Sequence, residues 1–173
     1  MNKKIRIAVL VSGNGTNLQS LINAQKNKII KSGKIELVIS NNSNAFALKR
    51  AEKSKIPFEI ISKKECKKIE EFERKLKEIL KSYKIELIVL AGFMSVLSKN
   101  FVKDYPKKII NIHPSLIPSF CGKNFYGIKV HEEAIKRGVK IHSLNDTSFK
   151  DNYFVIVGHA FKDDFLLKQL NKD

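Results

Sequence analysis

The hydrophobic residues of this chain follow two patterns that alternate along the sequence. Short, unbroken apolar runs are typical of strands buried on both faces of a parallel sheet, and apolar residues at every third or fourth position are typical of helices. The runs cover residues 5–11, 35–40, 58–61, 86–91 and 109–113. Because helical stretches lie between them, we predict an α/β fold, with a Rossmann-like, mostly parallel twisted sheet and helices on both faces.

Several residues predict where the helices begin and end. Gly33 is expected to end the first helix, because glycine readily adopts the left-handed conformation that follows a helix. Ser62 and Glu65 have the spacing of a capping box, which predicts the start of the helix with the clearest apolar stripe. Its lysines and glutamates are expected to face solvent. The stripe consists of Ile69, Phe72, Leu76, Ile79, Leu80 and Tyr83.

A glycine-containing segment, residues 12–17, joins the first strand to the first helix. Gly13 and Gly15 allow positive φ and the close approach of a ligand to the backbone. At Thr16 and Asn17, the free N–H groups of a helix start favour an anion. The segment lacks both the Lys-Ser/Thr ending of a nucleotide P-loop and a full GxGxxG spacing, so it indicates a site for one phosphate monoester. A tight turn without a ligand is the alternative.

Two later strands also end in residues that suit a binding site. Gly92 and the mainly apolar residues after it follow the strand 86–91, where doubly wound sheets form ligand crevices, although ordinary core is the alternative. Asn111 and His113 lie two residues apart near the end of the strand 109–113, so they project to the same side. Because carboxyl ends of parallel strands share one edge, we expect these segments and residues 12–17 to converge.

The pair Asn111 and His113 suits the transfer of an acyl group. An amide N–H can hold the oxygen that becomes negative when a carbonyl is attacked. A histidine near neutral pH can move the proton released by an attacking amine. On geometry alone, a buried pair that caps the end of a strand is an equal alternative.

Composition limits the partners of the chain. Its 173 residues suit one domain, and its formal charge is +16. Only four of its 33 basic residues are arginines, namely Arg6, Arg50, Arg74 and Arg137. Because arginine is the preferred reader of phosphates and bases, this scarcity favours a solvated lysine surface over a nucleic acid interface. No signal peptide or membrane-length apolar run is present, and Cys66 and Cys121 match no metal spacing; we predict a cytoplasmic protein without membrane partner or metal.

Three motifs, in this order, resemble those of the phosphoribosylglycinamide formyltransferases, the folate-dependent enzymes of purine synthesis. They are Ser-Gly-Asn-Gly-Thr-Asn-Leu at 12–18, Leu-Ala-Gly-Phe-Met at 90–94 and Asn-Ile-His-Pro-Ser-Leu-Ile-Pro at 111–118. The resemblance implies a formyltransferase fold. It also implies transfer of the formyl group of 10-formyltetrahydrofolate, as co-substrate and without a metal, to the amine of glycinamide ribonucleotide.

The resemblance assigns a role to each candidate residue. Gly15, Thr16 and Asn17 would hold the phosphate of glycinamide ribonucleotide. Asn111 and His113 would act at the formyl carbon as oxyanion donor and proton shuttle. The folate pocket would be lined by Met94, Ser95, Val96, Leu97 and Asn111.

The chain departs from the family pattern at two places. Ile69 stands where the family commonly has a basic residue that meets the folate. After Ile141 the chain lacks the Thr-Val-His and Asp-x-Gly-Pro motifs, whose aspartate lies beside the catalytic histidine in the family. Asp146 or Asp151 could replace this aspartate, but neither carries the motif. We therefore expect a formyltransferase-like α/β domain at 1–141 and an atypical, truncated or frame-shifted tail at 142–173, with a strand at 153–157 and a helix at 161–170, and impaired turnover.

Other functions stay open from the sequence alone. A non-catalytic remnant would bind the phosphate ligand without turnover. Formyltetrahydrofolate hydrolases and methionyl-tRNA formyltransferases share the Asn-x-His core, but the tRNA enzymes need a further domain. Nucleic acid binding through the lysines would show a steep dependence on salt. The sequence leaves open whether the chain is a monomer or a homodimer.

Overall fold

The computed structural model describes residues 3–62, 65–66, 68–113, 147–150 and 153–157. The helices of this part are α1 (Thr16–Lys26), α2 (Phe46–Lys53), α3 (Ile69–Ser82) and α4 (Lys99–Asp104). The strands are β1 (Ile5–Val11), β2 (Gly33–Ser40), β3 (Phe58–Ile60), β4 (Leu87–Ala91), β5 (Ile109–His113), β6 (Thr147–Lys150) and β7 (Tyr153–Val157).

The described strands form one sheet in the order β3-β2-β1-β4-β5-β7-β6. Neighbouring strands are parallel, except that β6 runs antiparallel to β7. The order reverses between β1 and β4, so the crevice of this doubly wound sheet lies at the carboxyl ends of those two strands. The predicted α/β fold with a mostly parallel sheet is confirmed. The predicted strand at 153–157 is present as β7, whereas β6 was not predicted.

Among the described residues, two hydrophobic cores lie on opposite faces of the sheet. Alternate strand residues pack with α1 and α2 on one face and with α3 and α4 on the other, as the period of two in a strand requires. In β5, for example, Ile110 and Ile112 belong to the first core and Ile109 to the second. Helices therefore cover both faces, as predicted.

A lysine, not a glycine, takes the left-handed position just after each of the first three helices. Lys28, Lys55 and Lys84 adopt left-handed conformations with φ of 57°, 55° and 50°. Each is followed by an isoleucine whose N–H donates to the carbonyl five residues earlier, which is the Schellman arrangement. These bonds join Ile29 to Ala24 (2.9 Å), Ile56 to Ala51 (3.0 Å) and Ile85 to Leu80 (2.9 Å). The prediction that Gly33 ends the first helix is therefore wrong: α1 ends at Lys26, and Gly33 begins β2.

The predicted capping box is also wrong. Ser62 and Glu65 form a turn of their own, in which the Glu65 N–H donates to the Ser62 carbonyl oxygen over 3.1 Å. Helix α3 begins only at Ile69, and its N-cap, Lys68, makes no side-chain capping bond. The apolar stripe of α3 is nevertheless present, because Phe72, Leu76 and Leu80 are buried.

One glutamate of α3 faces inward, contrary to the predicted solvent-facing charges. Glu73 is 6% exposed. Its carboxylate accepts the N–H of Ser98 (2.6 Å) and the hydroxyl of Ser98 (2.7 Å), while the Ser98 hydroxyl accepts the N–H of Phe101 (3.1 Å). Glu73 of α3 thus completes the N-terminal cap of α4. The two hydrogen bonds from Ser98 provide partners for the buried carboxylate of Glu73.

Several predictions fall outside the described residues. These concern the helix at 161–170, the carboxylates Asp146 and Asp151, and the segment 114–141 of the third motif and beyond. Within the described part, no helix is long and apolar enough to cross a lipid bilayer.

Candidate active site at the carboxyl edge of the sheet

The segment after β1 (residues 12–17, the β1 loop) packs tightly against α2. Gly15, the N-cap of α1, has φ of 69°. A methyl group on Gly15 would lie 2.6 Å from Cβ and 2.8 Å from Cα of Ala47. The Ala47 N–H donates to the Gly13 carbonyl oxygen over 3.1 Å. Glycine is therefore required at position 15 for two reasons, conformation and space, but Gly13 has open space around it and no positive φ. Of the two glycines that allow positive φ, only Gly15 adopts it.

The start of α1 is suited to an anion. Thr16 and Asn17 are its first two residues, and Gly15 supplies no side-chain cap. N–H groups in the first turn of a helix lack partners within the helix, and the helix dipole favours negative charge there. The first turn contains no acidic residue. That these positions hold a phosphate stays a prediction.

Arg50 of α2 binds the β1 loop and the first helix through its guanidinium group. Its Nε donates to the Asn14 carbonyl oxygen over 2.8 Å, and its NH1 donates to Oε1 of Gln19 over 3.1 Å. Its guanidinium also lies 5.0 Å from the ring centre of Phe46. The sequence interpretation did not assign Arg50 to the site. The scarcity of arginine was the one sequence signal for this role. In a chain whose basic residues are nearly all lysines, an arginine suggests contacts that need a planar donor of several hydrogen bonds.

The segment after β4 (residues 92–97, the β4 loop) is more open. Gly92 has φ of 71°, and a methyl group there would meet nothing within 4 Å. Among the four consecutive residues predicted to line a folate pocket, Met94 and Val96 are 58% and 83% exposed, whereas Ser95 is 7% exposed. Leu97 packs against the core on the α3 face. Two exposed apolar side chains thus remain available to a flat apolar ligand.

The β1 and β4 loops meet at the point where the strand order reverses. The hydroxyl of Ser12 accepts the N–H of Met94 over 2.8 Å. β1 and β4 pair directly, with Leu10 opposite Leu90 at the end of the ladder. The predicted convergence of these two segments is confirmed.

Asn111 lies on the next strand, beside the end of β4. Its register partner is Leu90, and Ile112 pairs with Ala91. Because Ile110 and Ile112 pack toward α1 and α2, the half-buried Asn111 lies on the opposite face of the sheet, toward α3 and α4. His113 ends β5 and pairs with Val157 of β7. That Asn111 and His113 act together beside the β1 and β4 loops stays a prediction.

An electrostatic contact at the amino edge of the sheet joins the two strands that lead to these loops. The Arg6 backbone N–H donates to Glu86 Oε2 (3.1 Å), and Lys3 Nζ lies 3.2 Å from Oε1. The backbone N–H of Arg6, and then the hydrogen bond from Lys3, hold the pKa of Glu86 below its usual value.

The fold and the converging loops define a doubly wound α/β protein with a candidate site at its topological switch point. Residues 5–148 match the sequence profile of the family described as Formyl transferase. The chain therefore belongs to the formyl transferase family.

Individual relatives support this assignment. The chain is 43% identical over 138 residues to the trifunctional purine biosynthetic protein adenosine-3 of Gallus gallus, a match that covers 80% of this chain and 13% of that protein. It is 38% identical over 141 residues to the phosphoribosylglycinamide formyltransferase of Haemophilus influenzae, covering 82% of this chain and 66% of the relative. A solved phosphoribosylglycinamide formyltransferase from Coxiella burnetii matches with a TM-score of 0.71 at 43% identity, covering 79% of this chain and 61% of that one. The chain thus spans less than two thirds of the length of these proteins.

Proposed function

We propose that this chain transfers the formyl group of 10-formyltetrahydrofolate to the amine of glycinamide ribonucleotide. The proposal is supported by the family, by relatives that carry the name of this activity, and by the sequence Asn111-Ile112-His113 at the end of β5. The observation that carries it is the hydrogen bond of 2.8 Å from Met94 N to Ser12 Oγ. It joins a loop suited to a phosphate to a loop with exposed apolar residues, one strand away from Asn111.

The proposed reaction uses these residues in a defined order. Backbone groups of Gly15, Thr16 and Asn17 hold the phosphate, which places the glycinamide amine near the formyl carbon. The amine attacks that carbon and forms a C–N bond, and the side-chain amide of Asn111 donates to the resulting oxyanion. His113 accepts a proton from the amine and delivers it to N10 of the folate as the bond between N10 and the formyl carbon breaks. The products are the formylated ribonucleotide and tetrahydrofolate.

In this proposal the exposed Met94 and Val96 contact the folate, while Ser95 and Leu97 support them from inside the β4 loop. The exposures of 58% and 83% for Met94 and Val96 favour this division. The lysine-rich surface, with a formal charge of +16, attracts the anionic substrates over long range.

We further propose that residues 142–173 lower the turnover. The matches to curated relatives cover about four fifths of the chain, and the residues after Ile141 contain no Asp-x-Gly-Pro. Without a carboxylate beside it, His113 would be a weaker base and less well oriented. The DNA sequence of the gene can test whether the tail arose by a frame shift. If it did, another reading frame beyond the codon for Ile141 should encode Thr-Val-His and Asp-x-Gly-Pro. If no frame encodes them, a simple shift is excluded.

The central experiment measures tetrahydrofolate release from 10-formyltetrahydrofolate when glycinamide ribonucleotide is added. We expect release in the wild type that depends on the ribonucleotide. His113→Ala should lower the rate by roughly 10²–10⁴-fold, and Asn111→Ala by roughly 10²–10³-fold. Asn100→Ala, at an exposed position of α4, is the matched control and should keep the rate.

The other functions give different results in the same experiment. Formate release without the ribonucleotide would indicate a hydrolase. Binding of the ribonucleotide without any release would indicate a non-catalytic remnant. A rate unchanged in His113→Ala would contradict the proposed mechanism.

A further inference from the structure

A third loop joins the two that carry the proposed substrate sites. Residues 41–44 after β2 (the β2 loop) follow Ser40, which is fully buried. The Ser40 hydroxyl donates to the Asn42 carbonyl oxygen over 2.8 Å and accepts the Asn42 N–H over 3.1 Å. The backbone of the β2 loop is therefore fixed to the end of its own strand.

From this fixed position the β2 loop contacts both the β1 loop and the β4 loop. Asn42 Nδ2 donates to the carbonyl oxygen of Ser12 in the β1 loop over 3.2 Å. Asn41 Nδ2 donates to the hydroxyl of Ser95 in the β4 loop over 2.7 Å, and Ser95 is nearly buried. Ser12 itself accepts the Met94 N–H over 2.8 Å. The five residues Ser12, Asn41, Asn42, Met94 and Ser95 form a closed set of contacts, which we term the loop bridge.

We infer that Ser12 and Asn41 are positioning residues that couple the binding of the two substrates. The inference rests on the proposed function, because it takes the β1 loop as the site of the phosphate ester and the β4 loop as the site of the folate. Neither residue needs to touch a reacting atom. Each fixes the backbone or a side chain of the β4 loop relative to the β1 loop.

The loop bridge is attached close to the proposed phosphate site. Ser12 immediately precedes Gly13 and lies four residues before Thr16, so a phosphate bound at the start of α1 orders the same short segment that carries the Ser12 hydroxyl. That hydroxyl orders the backbone of Met94, whose exposed side chain is proposed to meet the folate. A ligand that orders one loop therefore lowers the cost of ordering the other. Thermodynamic linkage requires the same coupling in both directions.

Each substitution in the loop bridge removes one defined hydrogen bond. Ser12→Ala removes the acceptor for the Met94 N–H but keeps the carbonyl oxygen that Asn42 contacts. Asn41→Ala removes the donor to Ser95 and leaves a nearly buried hydroxyl without that bond. Asn44→Ala is the matched control, because Asn44 is an exposed residue of the same loop that takes part in the bridge through no side-chain bond.

The test measures the dissociation constant of glycinamide ribonucleotide by calorimetry, with and without saturating tetrahydrofolate, which lacks a formyl group and cannot react. In the wild type we expect tetrahydrofolate to lower this constant by about fivefold or more. In Ser12→Ala and Asn41→Ala the two constants should be nearly equal, whereas Asn44→Ala should keep the wild-type ratio. Ser12→Thr, which keeps a hydroxyl, should restore most of the ratio.

Steady-state kinetics separates positioning from general damage. Loss of the bridge should raise the KM for each substrate in the presence of the other and change kcat little, with thermal unfolding of the free protein close to wild type. If Ser12→Ala fails to fold, Asn41→Ala and Ser12→Thr test the same coupling. Independent binding of the two ligands in the wild type, or unchanged coupling in both Ser12→Ala and Asn41→Ala, would overturn the inference.

The outcomes for the inference and for the proposed function are distinct. Coupled binding without formyl transfer would reject the transfer reaction and keep the positioning role. Formyl transfer with independent binding would keep the reaction and reject the positioning role. A wild-type chain that binds neither ligand would reject both.

Discussion

The β1 and β4 loops follow adjacent parallel strands, and each contains a glycine with positive φ, but they are built differently. Around Gly15 the β1 loop is crowded, with Ala47 only 2.6 Å from where a methyl group would lie. Around Gly92 the β4 loop has free space, and two of its apolar side chains, Met94 and Val96, face solvent. One loop presents backbone groups held by α2, and the other presents side chains.

This difference matches the chemistry of the two proposed ligands. A phosphate monoester is small and is best held by N–H groups in a fixed arrangement, which close packing at Gly15 favours. A folate ring system is flat and largely apolar, and it needs exposed hydrophobic surface more than fixed donors. We therefore predict that substitution of Gly15, where the β1 loop is crowded, acts on the folded state as a whole, whereas substitution of the exposed apolar side chains of the β4 loop acts mainly on ligand binding.

The largest effect is expected from Gly15→Ala. The new side chain would be forced into a left-handed conformation and against the backbone of Ala47, so we expect the free energy of unfolding to fall by about 2–4 kcal/mol. Gly13→Ala is the matched control in the same loop, with an expected change within about 0.5 kcal/mol. Urea unfolding of both variants measures the difference. Equal stability of the two variants would contradict the crowding of the β1 loop.

The features behind this prediction were only partly accessible from the sequence. Continuous apolar runs located β1, β4 and β5, and the positions of Gly15 and Asn111 at strand ends followed from them. Which of Gly13 and Gly15 needs glycine could not be predicted, because the reason is Ala47, about thirty residues away along the chain. Local sequence patterns do not encode such a distant contact.

The incorrect predictions have related causes. A lysine takes the left-handed position just after each of the first three helices, so glycine did not mark the end of α1 at Gly33. Glu73 was predicted to face solvent because its partner, Ser98, lies on a later segment. The contact of Asn41 could not be predicted either, because its partner Ser95 comes from a loop two strands away in the sheet.

Gly92→Ala measures the cost of the left-handed backbone conformation alone, without steric crowding of the new methyl group. A methyl group at position 92 has free space, so only the left-handed conformation with φ of 71° opposes it, and we expect a loss of about 1 kcal/mol. Urea unfolding beside Gly15→Ala measures this smaller loss. A loss as large as that of Gly15→Ala would show that the β4 loop is as crowded as the β1 loop.

Val96→Ser tests the proposed role of the exposed apolar residues. Val96 is 83% exposed, so the substitution should leave the free energy of unfolding within about 0.5 kcal/mol of wild type. Loss of apolar contact should raise the KM for the formylated folate by roughly threefold to fivefold and leave the KM for glycinamide ribonucleotide unchanged. Ile29→Ser, the same kind of change at the opposite edge of the sheet, should alter neither KM. A change confined to the KM for the ribonucleotide would reverse the assignment of the loops.

The smallest effect is expected at Glu86, which joins β1 and β4, the paired strands that lead to the two loops. The pKa of Glu86 is lowered from its ordinary value of 4.5, first by the Arg6 backbone N–H and then by Lys3. A lowered pKa in the folded state adds stability above the unfolded value, and this contribution is lost as the pH falls through the folded value. Because Glu86 and Lys3 are 40% and 82% exposed, solvent screening limits the contribution to about 0.5 kcal/mol.

Glu86→Gln should therefore be less stable than wild type at neutral pH, and the two proteins should converge as the pH falls below 4.5. Urea unfolding across this range measures the difference. Lys3→Ala is the control, and its effect should be smaller than that of Glu86→Gln because the Arg6 N–H is the larger cause. Since Glu86 holds both strands at the edge opposite the loops, the dissociation constants of the two substrates should change by the same small factor or not at all. A selective change in one of them would mean that β1 and β4 do not carry their loops as one unit.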